Sequence, residues 1–261
     1  MMLQKLILVK EGQKVKKFKK VEIIMFFPKE NKFILKSFIR KAKTYAQFET
    51  KYFEKLVSHY SLNHGIVVPN RLGLKLIVIS DTHGDLAFRN RFEAFMSRVS
   101  EYDLCVILGD IYGYELDRIL QIIPKERIVA LRGNHDSFDV YNEYGIYNVN
   151  GKAFTYKGIK FAGIEGSFKY KKSEFPSYTH YESLYLASKM PQKADVLLSH
   201  DCMFTESKYD MAHSGLAGIT YYVYENAVQW HIHGHIHKSY QNSYINGTRE
   251  KSVYGCEYLE I

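Results

Sequence analysis

The chain has 261 residues, and its 46% hydrophobic and 25% charged content is ordinary for a globular protein, which argues against a fibrous or disordered chain. No apolar run approaches the roughly 18 residues needed to span a bilayer, so we expect a soluble protein without a membrane span. The net charge of +8 is unevenly distributed, since residues 1–60 contain fifteen Lys and Arg but five Asp and Glu. This asymmetry predicts a basic module, of the kind that contacts nucleic acid, anionic lipid or acidic protein; a lysine-rich solubilising surface is the alternative.

The basic module is predicted to consist of a hairpin and a helix. Residues 5–9 and 21–27 have strand composition and are joined by a Lys-rich segment. From Asn31 to about residue 62, apolar residues recur with helical periodicity, which indicates one long amphipathic helix. These elements divide the chain into two predicted domains, residues 1–72 and residues 73–261.

The second domain is predicted to alternate strands and helices. The first elements are strand 74–80, helix 86–100, strand 104–108, helix 114–123 and strand 127–132. This order is typical of a mainly parallel sheet. Short strands at 146–149, 153–157 and 159–164 predict a second, more antiparallel sheet. Helix 181–190 and strands 195–199, 229–233, 239–245 and 252–260 complete this α/β prediction.

Short groups of metal-ligand residues follow several of these strands. In chain order they are Asp81-Thr82-His83, Gly109-Asp110, Gly133-Asn134-His135-Asp136, Ser199-His200-Asp201 and Gly234-His235-Ile236-His237. Carboxylates, an amide oxygen and imidazoles are ligands that divalent cations prefer. Asp81 and His83 can reach one ion from a strand end, and the glycine before Asp110 allows close approach of the backbone. The seven candidate ligands are Asp81, His83, Asp110, Asn134, His200, His235 and His237. They can supply four ligands to each of two cations if Asp110 is shared.

This order of motifs resembles the calcineurin-like metallophosphoesterase superfamily across residues 76–237. The resemblance implies a four-layer α-β-β-α sandwich with two mixed sheets. It also implies two divalent cations, one bound by Asp81, His83, Asp110 and His237 and the other by Asp110, Asn134, His200 and His235. Manganese is the expected metal, with iron, zinc or nickel as alternatives, because these ligand types suit all four.

The expected reaction is hydrolysis of a phosphoester by a hydroxide that bridges the two metals. Two dications outweigh the charges of Asp81 and Asp110, so the centre would attract an anionic phosphoryl group. His135 resembles the general acid of the family, and we expect Asp136 to orient its ring. Neither of these two catalytic candidates is expected to touch metal.

Three further histidines lie near these motifs. His231 and His233 share strand parity with the ligands of the last motif, but a strand histidine before a metal loop more often packs or hydrogen-bonds. We therefore predict no ligand role for them. His213 lies in a segment that resembles a loop which some family members place beside the active centre, which makes it a candidate substrate contact.

Two features bear on the substrate. Phosphoprotein phosphatases usually extend the second motif to Gly-Asp-x-x-Asp-Arg-Gly and end the third in Glu. Here Gly113 and Tyr114 stand at the Asp and Arg positions of the second motif, and Asp136 ends the third. The string at residues 80–85 instead resembles compact phosphodiesterases of the superfamily. A basic and aromatic insert at residues 168–172 contains Lys169 and Tyr170, which are candidate contacts for phosphate and base. An ordinary tyrosine-rich loop is the alternative.

The leading hypothesis is a metal-dependent phosphodiesterase that acts on a nucleotide or nucleic acid, with residues 1–72 contributing to nucleic-acid binding. The alternatives are a phosphomonoesterase or phosphoprotein phosphatase and a non-catalytic, metal-stabilised binding scaffold. Three widely spaced cysteines form no Cys-x-x-Cys pair, and this sparing use of thiols favours the cytoplasm. The sequence indicates no oligomeric state.

Overall fold

The computed structural model describes residues 72–137, 140–172, 175–204, 212–244 and 246–261. The predicted hairpin and amphipathic helix of residues 1–72 lie outside them, apart from Leu72, so this module and its boundary stay predictions. No helix among the described residues is long and apolar enough to cross a membrane.

Within the described residues the chain forms thirteen strands and five α-helices. The strands are β1 (Lys75–Ser80), β2 (Leu104–Ile107), β3 (Ile128–Ala130), β4 (Tyr147–Asn148), β5 (Ala153–Tyr156), β6 (Ile159–Ile164), β7 (Ser167–Phe168), β8 (Ser177–Tyr178), β9 (Val196–Ser199), β10 (Trp230–His233), β11 (Tyr240–Ser243), β12 (Arg249–Ser252) and β13 (Gly255–Glu260). The helices are α1 (Phe88–Met96), α2 (Gly113–Leu120), α3 (Val140–Glu143), α4 (His180–Lys189) and α5 (Ala217–Asn226), and a 3-10 turn spans Lys125–Arg127.

Two mixed sheets form the centre of the fold. The first has the order β13-β1-β2-β3-β4, in which β1 to β4 are parallel and β13 runs antiparallel to β1. The second has the order β11-β12-β10-β9-β6-β5, with four parallel strands at its centre and an antiparallel strand at each edge. A small parallel pair, β7 and β8, stands apart from both.

Three buried apolar layers separate four structural layers. Alternate side chains of β1 pack on the two faces of their sheet: Leu76 and Val78 face the second sheet, while Ile77 and Ile79 face helices α1 to α3. The other face of the second sheet packs on α4 and α5. Because strands covered on both faces are apolar throughout, β1 and β2 carry uninterrupted apolar runs. The predicted four-layer α-β-β-α sandwich is confirmed.

Three sequence predictions differ from the observed elements. The strand predicted at 146–149 as part of the second sheet is β4, which pairs with β3 in the first sheet. Residues 252–260 do not form one strand, because β12 ends at Ser252 in the second sheet and β13 begins at Gly255 in the first. Gly255 has a φ of 79°, a left-handed conformation that turns the chain between the sheets. Helix α5 was not predicted, since its β-branched and aromatic residues are buried almost all round and leave no amphipathic pattern.

Candidate metal centre

The predicted ligands follow the carboxyl ends of parallel strands. Asp81 comes directly after β1 and His200 directly after β9. The remaining ligands follow β1, β2, β3 and β10 within four residues. Parallel strands that are neighbours in a sheet end at the same edge, so these loops meet across the gap between the two sheets. The structure brings all seven predicted ligands together.

The first group consists of Asp81, His83 and His237. The Nε2 atoms of the two histidines lie 3.0 Å apart. Asp81 Oδ1 lies 3.9 Å from His83 Nε2 and 3.5 Å from His237 Nε2. The carboxylate is buried and the two rings are partly exposed, so one cation among these three side chains could be reached from solvent.

Asp110 lies between the two groups. Its Oδ2 atom is 3.5 Å from His83 Nε2 and also 3.5 Å from His200 Nε2. Its other oxygen, Oδ1, accepts a hydrogen bond of 2.8 Å from the backbone N–H of His135, which fixes the orientation of the carboxylate. One oxygen of Asp110 is therefore directed at both groups.

The second group contains His200, Asn134 and His235. His200 Nε2 lies 2.9 Å from Asn134 Oδ1, while its Nδ1 lies 2.7 Å from the Leu108 carbonyl oxygen. The His235 ring centroid is 4.9 Å from that of His200, and its Nε2 lies 2.9 Å from the Ala212 carbonyl oxygen. A backbone carbonyl that takes one ring N–H leaves the other nitrogen for a metal, which is the usual arrangement of metal-binding histidines.

The ligand backbone is strained. Among the described residues, eight non-glycine residues have positive φ, and five of these are predicted ligands. They are Asp81 (55°), His83 (50°), Asp110 (57°), His235 (66°) and His237 (52°). Such conformations cost roughly 1–3 kcal/mol each and persist where surrounding structure enforces them, typically at functional sites.

Buried acceptors without partners show that the residues fit divalent cations. Asp81 Oδ1 and Asp110 Oδ2 are buried and have no hydrogen-bond partner. Burial opposes ionisation of Asp81, but the adjacent His237 ring and the hydrogen bond from Ser80 to Oδ2 lower its pKa below the ordinary range. The pKa of Asp110 is also lowered, because His200 and the His135 N–H outweigh its burial. Both carboxylates are thus ionised at neutral pH, and a cation would satisfy their open oxygens.

Asp136 has a different position from the one expected. Its carboxylate accepts hydrogen bonds from the backbone N–H groups of Asp110, Ile111 and Gly133 and from the hydroxyl of Tyr141. Within the described parts of the chain, no hydrogen bond joins it to the His135 ring, so the expectation that it orients this ring is not met. Asp136 instead ties the Asp110 loop to the Asn134 loop. Burial and the nearby Asp110 carboxylate raise its pKa to about 6.

The remaining candidates surround the centre. The exposed ring of His135 is 5.3 Å from the His83 ring, and His213 is 4.8 Å from His235. A cleft of ≈ 370 Å³ extends from this side of the centre into the insert. Its walls are formed by Asn134, His135, Ser167, Phe168, Lys169, Tyr170, Lys171, Lys172, Phe175 and Ser177. Lys169 and Tyr170 therefore line the same cleft as a predicted ligand and the candidate acid.

Exposed tyrosines beside the first ligand group were not predicted from the sequence. Tyr254 stacks on the His237 ring at a centroid distance of 5.5 Å, and its side chain is about half exposed. Tyr112 and Tyr114 lie so close to Gly84 that an added Cβ there would meet both rings. Tyr254 lies in the turn between β12 and β13, and no local pattern connects that turn to the motifs.

The profile of calcineurin-like phosphoesterases matches residues 74–239, which is more than half of the chain and contains every predicted ligand. The chain belongs to the calcineurin-like phosphoesterase family. As a member of this family the protein is a hydrolase of phosphoester bonds, and the family depends on a dinuclear metal centre. No curated protein matches the sequence.

Solved structures similar to this chain have low sequence identity to it. TT1561 of Thermus thermophilus is 12% identical, with a TM-score of 0.50 over 72% of this chain and 99% of that one. Phosphopantetheinyl hydrolase from Mycobacterium tuberculosis is 13% identical, with a TM-score of 0.49 over 71% and 91% of the two chains. A dimetal phosphatase from Danio rerio is 11% identical, with a TM-score of 0.43 over 71% and 88%.

Proposed function

We propose that this protein is a metal-dependent phosphodiesterase that acts on a nucleotide or nucleic acid. The observation that carries the catalytic part is the position of Asp110 Oδ2. This buried oxygen has no hydrogen-bond partner and lies 3.5 Å from the Nε2 atoms of both His83 and His200. A carboxylate oxygen directed at two ligand groups is suited to bridge two cations, as two-metal phosphoryl-transfer sites require.

The residues proposed to hold the first cation are Asp81, His83, Asp110 and His237, and those proposed for the second are Asp110, Asn134, His200 and His235. When bound, paired cations activate water and neutralise charge on the phosphoryl oxygens. The protein fixes the carboxylates that hold them, since the His235 backbone N–H donates to Asp81 Oδ2 at 2.8 Å and the His135 backbone N–H donates to Asp110 Oδ1. We expect manganese, with iron, zinc or nickel as alternatives.

His135 is the proposed proton donor to the leaving oxygen. Its backbone is tied to Asp110, while its exposed ring lines the cleft that adjoins the centre. A group in this position can reach an oxygen that leaves toward the cleft, and proton transfer of this kind contributes about 100- to 10,000-fold to rates. Asp136 acts indirectly, because it holds the two loops that carry Asp110 and Asn134.

The cleft supports a nucleotide or nucleic-acid substrate. Three lysines and two exposed aromatic side chains line it beside Asn134 and His135, namely Lys169, Lys171, Lys172, Tyr170 and Phe175. Lysines bind phosphates beyond the reacting one, and exposed aromatic rings stack on bases. Tyr254, stacked on His237, offers a further exposed ring beside the first ligand group. A diester chain bound at the centre could therefore meet aromatic rings beside His237 as well as in the cleft.

A matched substrate panel tests this proposal. The full chain, loaded with Mn²⁺, is assayed on a nucleotide phenyl diester, a single-stranded oligonucleotide, a nucleotide monoester and a phosphopeptide. We expect kcat/KM for the diesters to exceed that for the monoesters at least tenfold, and a chelator to abolish all activity until Mn²⁺ is restored.

Each alternative has its own outcome in the panel. A preference for the monoester or phosphopeptide would overturn the diester assignment and favour a phosphatase. Absence of turnover on every substrate at full metal occupancy would favour the binding scaffold. The Asp110→Asn variant is the control for background hydrolysis, because it removes the charge proposed to join the two cations.

A further inference from the structure

A second cluster of ligand-type side chains lies on the helix-facing side of the second sheet. His231 and His233 are two residues apart on β10, and Glu250 on β12 is the register partner of His231. Their neighbours Trp230 and Ile232 pack between the two sheets, so the histidines face the α4 and α5 layer. All three cluster residues are buried, with 0%, 0% and 3% of their surfaces exposed.

The inner atoms of this cluster converge on one point. Glu250 Oε1 lies 3.4 Å from His233 Nε2 and 4.0 Å from His231 Nδ1. The three atoms lie within 4.8 Å of one another. His231 Nδ1 is buried without a hydrogen-bond partner. One oxygen of Glu250 thus faces both imidazoles within a buried space.

Hydrogen bonding fixes which atoms of His231 carry protons. The Ser199 hydroxyl donates its single hydrogen to the Asp201 carbonyl oxygen at 2.6 Å. The 2.7 Å contact between Ser199 Oγ and His231 Nε2 must therefore be donated by the imidazole. His231 thus carries its proton on Nε2, and in the neutral ring Nδ1 directs a lone pair at the Glu250 carboxylate.

The other two ligands are held from outside in the same way. His233 Nδ1 lies 2.9 Å from the Gly234 carbonyl oxygen and must donate to it, which leaves Nε2 facing Glu250. Glu250 Oε2 accepts hydrogen bonds from Asn242 Nδ2 at 2.9 Å and from Tyr244 OH at 2.7 Å. The outer atoms of all three side chains are hydrogen-bonded, His231 Nδ1 has no partner, and Glu250 Oε1 faces both rings, which is the pattern that orients side chains around a metal.

We propose that His231 Nδ1, His233 Nε2 and Glu250 Oε1 form a third cation site, which takes Zn²⁺. Lone pairs and a carboxylate that meet in a buried space repel one another unless a positive charge lies among them. Around tetrahedral Zn²⁺, with bonds of roughly 2.0–2.2 Å, ligand atoms stand about 3.4 Å apart, so the observed separations need only a small inward shift. Tyr240 OH, at 3.4 Å from His233 Nε2, borders the fourth position.

The site would stabilise the strand that carries two ligands of the dinuclear centre. An ion here joins β10 to β12 directly before the loop with His235 and His237. This role is structural and does not depend on the reaction at the dinuclear centre. The third cation site can therefore be tested independently of the proposed function.

Metal stoichiometry tests the site in the full chain. Protein loaded with excess Zn²⁺ and freed of loose metal by gel filtration should contain three ions per chain. A variant with Asp81→Asn and Asp110→Asn should keep one ion, and adding His231→Gln and Glu250→Gln should remove it. His180→Asn, which replaces another buried histidine, should lose none. Two ions in the wild type, or none in the first variant, would overturn the proposal.

Crystallography of the wild type tests the site without any substitution. Anomalous difference density collected at the zinc edge should show a peak among His231, His233 and Glu250, in addition to the peaks of the dinuclear centre. Occupied dinuclear positions with no third peak would overturn the proposal, and the cluster would then be a His233–Glu250 pair joined by a proton.

Discussion

Asp110 combines a left-handed backbone with contacts to both ligand groups. It holds left-handed backbone with a φ of 57°, accepts the His135 N–H on one oxygen and directs the other at two histidines. Gly133 lies directly against it, and an added Cβ there would stand 2.6 Å from the Asp110 backbone nitrogen. The absence of a side chain at residue 133 is thus a requirement of the centre.

Gly133→Ala should therefore displace Asp110 and lower metal occupancy. Misplacement of a catalytic group by about 1 Å can reduce rates roughly 100-fold, and we expect a loss of that size in kcat with fewer than two metal ions per chain. Elemental analysis and steady-state assays measure both effects. Gly113→Ala is the matched control, because its Cβ would meet only the end of the Tyr144 side chain, at 3.1 Å. Equal losses in both variants would contradict this explanation.

His135→Ala tests the proton donor through the leaving group. If the His135 ring protonates the leaving oxygen, kcat should fall about 100- to 10,000-fold for a diester with an alkoxide leaving group. The loss should be much smaller with nitrophenolate, which leaves without protonation. Metal content and Tm should be unchanged, since the backbone N–H that contacts Asp110 remains. Equal losses on both substrates would show that His135 does not act as the acid.

At the scale of elements, the β7 and β8 pair positions the insert beside the metal centre. The Phe168 backbone N–H donates to Asp201 Oδ2 at 2.9 Å, next to the ligand His200. This bond places exposed Lys169 and Tyr170 on the wall of the cleft rather than in free solvent. The short β7 and β8 pair thus positions the positively charged Lys169 beside the metal centre.

Lys169→Gln should weaken binding of an oligonucleotide substrate. A lysine that contacts phosphate releases about one counterion, so its loss should reduce the slope of log KM against log salt by about one. KM measured across a salt series on a single-stranded oligonucleotide gives the slope. Lys189→Gln, an exposed lysine at the end of α4 that does not line the cleft, is the control. An unchanged slope for Lys169→Gln would show that Lys169 does not contact a phosphate of the oligonucleotide.

The junction between α4 and α5 depends on a neutral histidine. His180 is buried, stacks on Phe168 at a centroid distance of 4.4 Å, and its Nδ1 accepts the Ala217 N–H at 3.3 Å. Burial lowers the pKa of His180 to about 3. The unfolded chain takes up this proton below its ordinary pKa of about 6.5, whereas the folded chain does not.

Stability should therefore fall as the pH drops below about 6.5. The stabilisation that depends on a neutral His180 ring is fully present above that pH. Below it, the free energy of unfolding decreases by about 1.4 kcal/mol for each pH unit until the pH reaches the folded pKa. Denaturant unfolding at pH 7 and pH 5 measures the difference, which should be about 2 kcal/mol larger in the wild type than in His180→Asn. Asn keeps an acceptor on a short side chain but cannot take up a proton. The same acid loss in both proteins would contradict the buried neutral ring.

At the scale of the whole molecule, the three buried layers are made within residues 72–261. They lie between the helices and sheets that carry the centre. The predicted basic module contributes fifteen Lys and Arg within residues 1–60. The remainder of the chain is nearly neutral, so the positive charge is concentrated in this module. We therefore expect the module to recruit nucleic acid electrostatically.

Removal of residues 1–71 should leave a folded enzyme with weaker nucleic-acid binding. We expect unchanged metal content and turnover on a small diester, but loss of salt-dependent binding to single-stranded DNA or RNA. Fluorescence anisotropy at low and high salt measures the binding. A full chain with Lys14, Lys16, Lys17, Lys19 and Lys20 changed to Gln is the control for charge alone. Full binding by the truncated chain would show that the module serves another purpose.

Features that depend on neighbouring residues in the chain could be predicted from the sequence, whereas features that depend on distant residues could not. Asp81, Asp110 and His200 were identified from the sequence because each follows a recognisable apolar strand, and strand ends are determined by neighbouring residues. The α5 helix was missed because it is buried on all sides, so the amphipathic pattern on which helix prediction depends is absent.

By itself, the sequence determined the fold class, the family and the identity of the candidate ligands. Only the tertiary structure decided that Asp110 Oδ2 faces both ligand groups, that Asp136 ties loops together, and that Tyr254 stacks on His237. It also placed Glu250 against His231 and His233, which the sequence had left as packing or hydrogen-bonding residues. The physical reason is that strand patterns are local, whereas the pairing of β10 with β12 joins residues whose proximity no local pattern records.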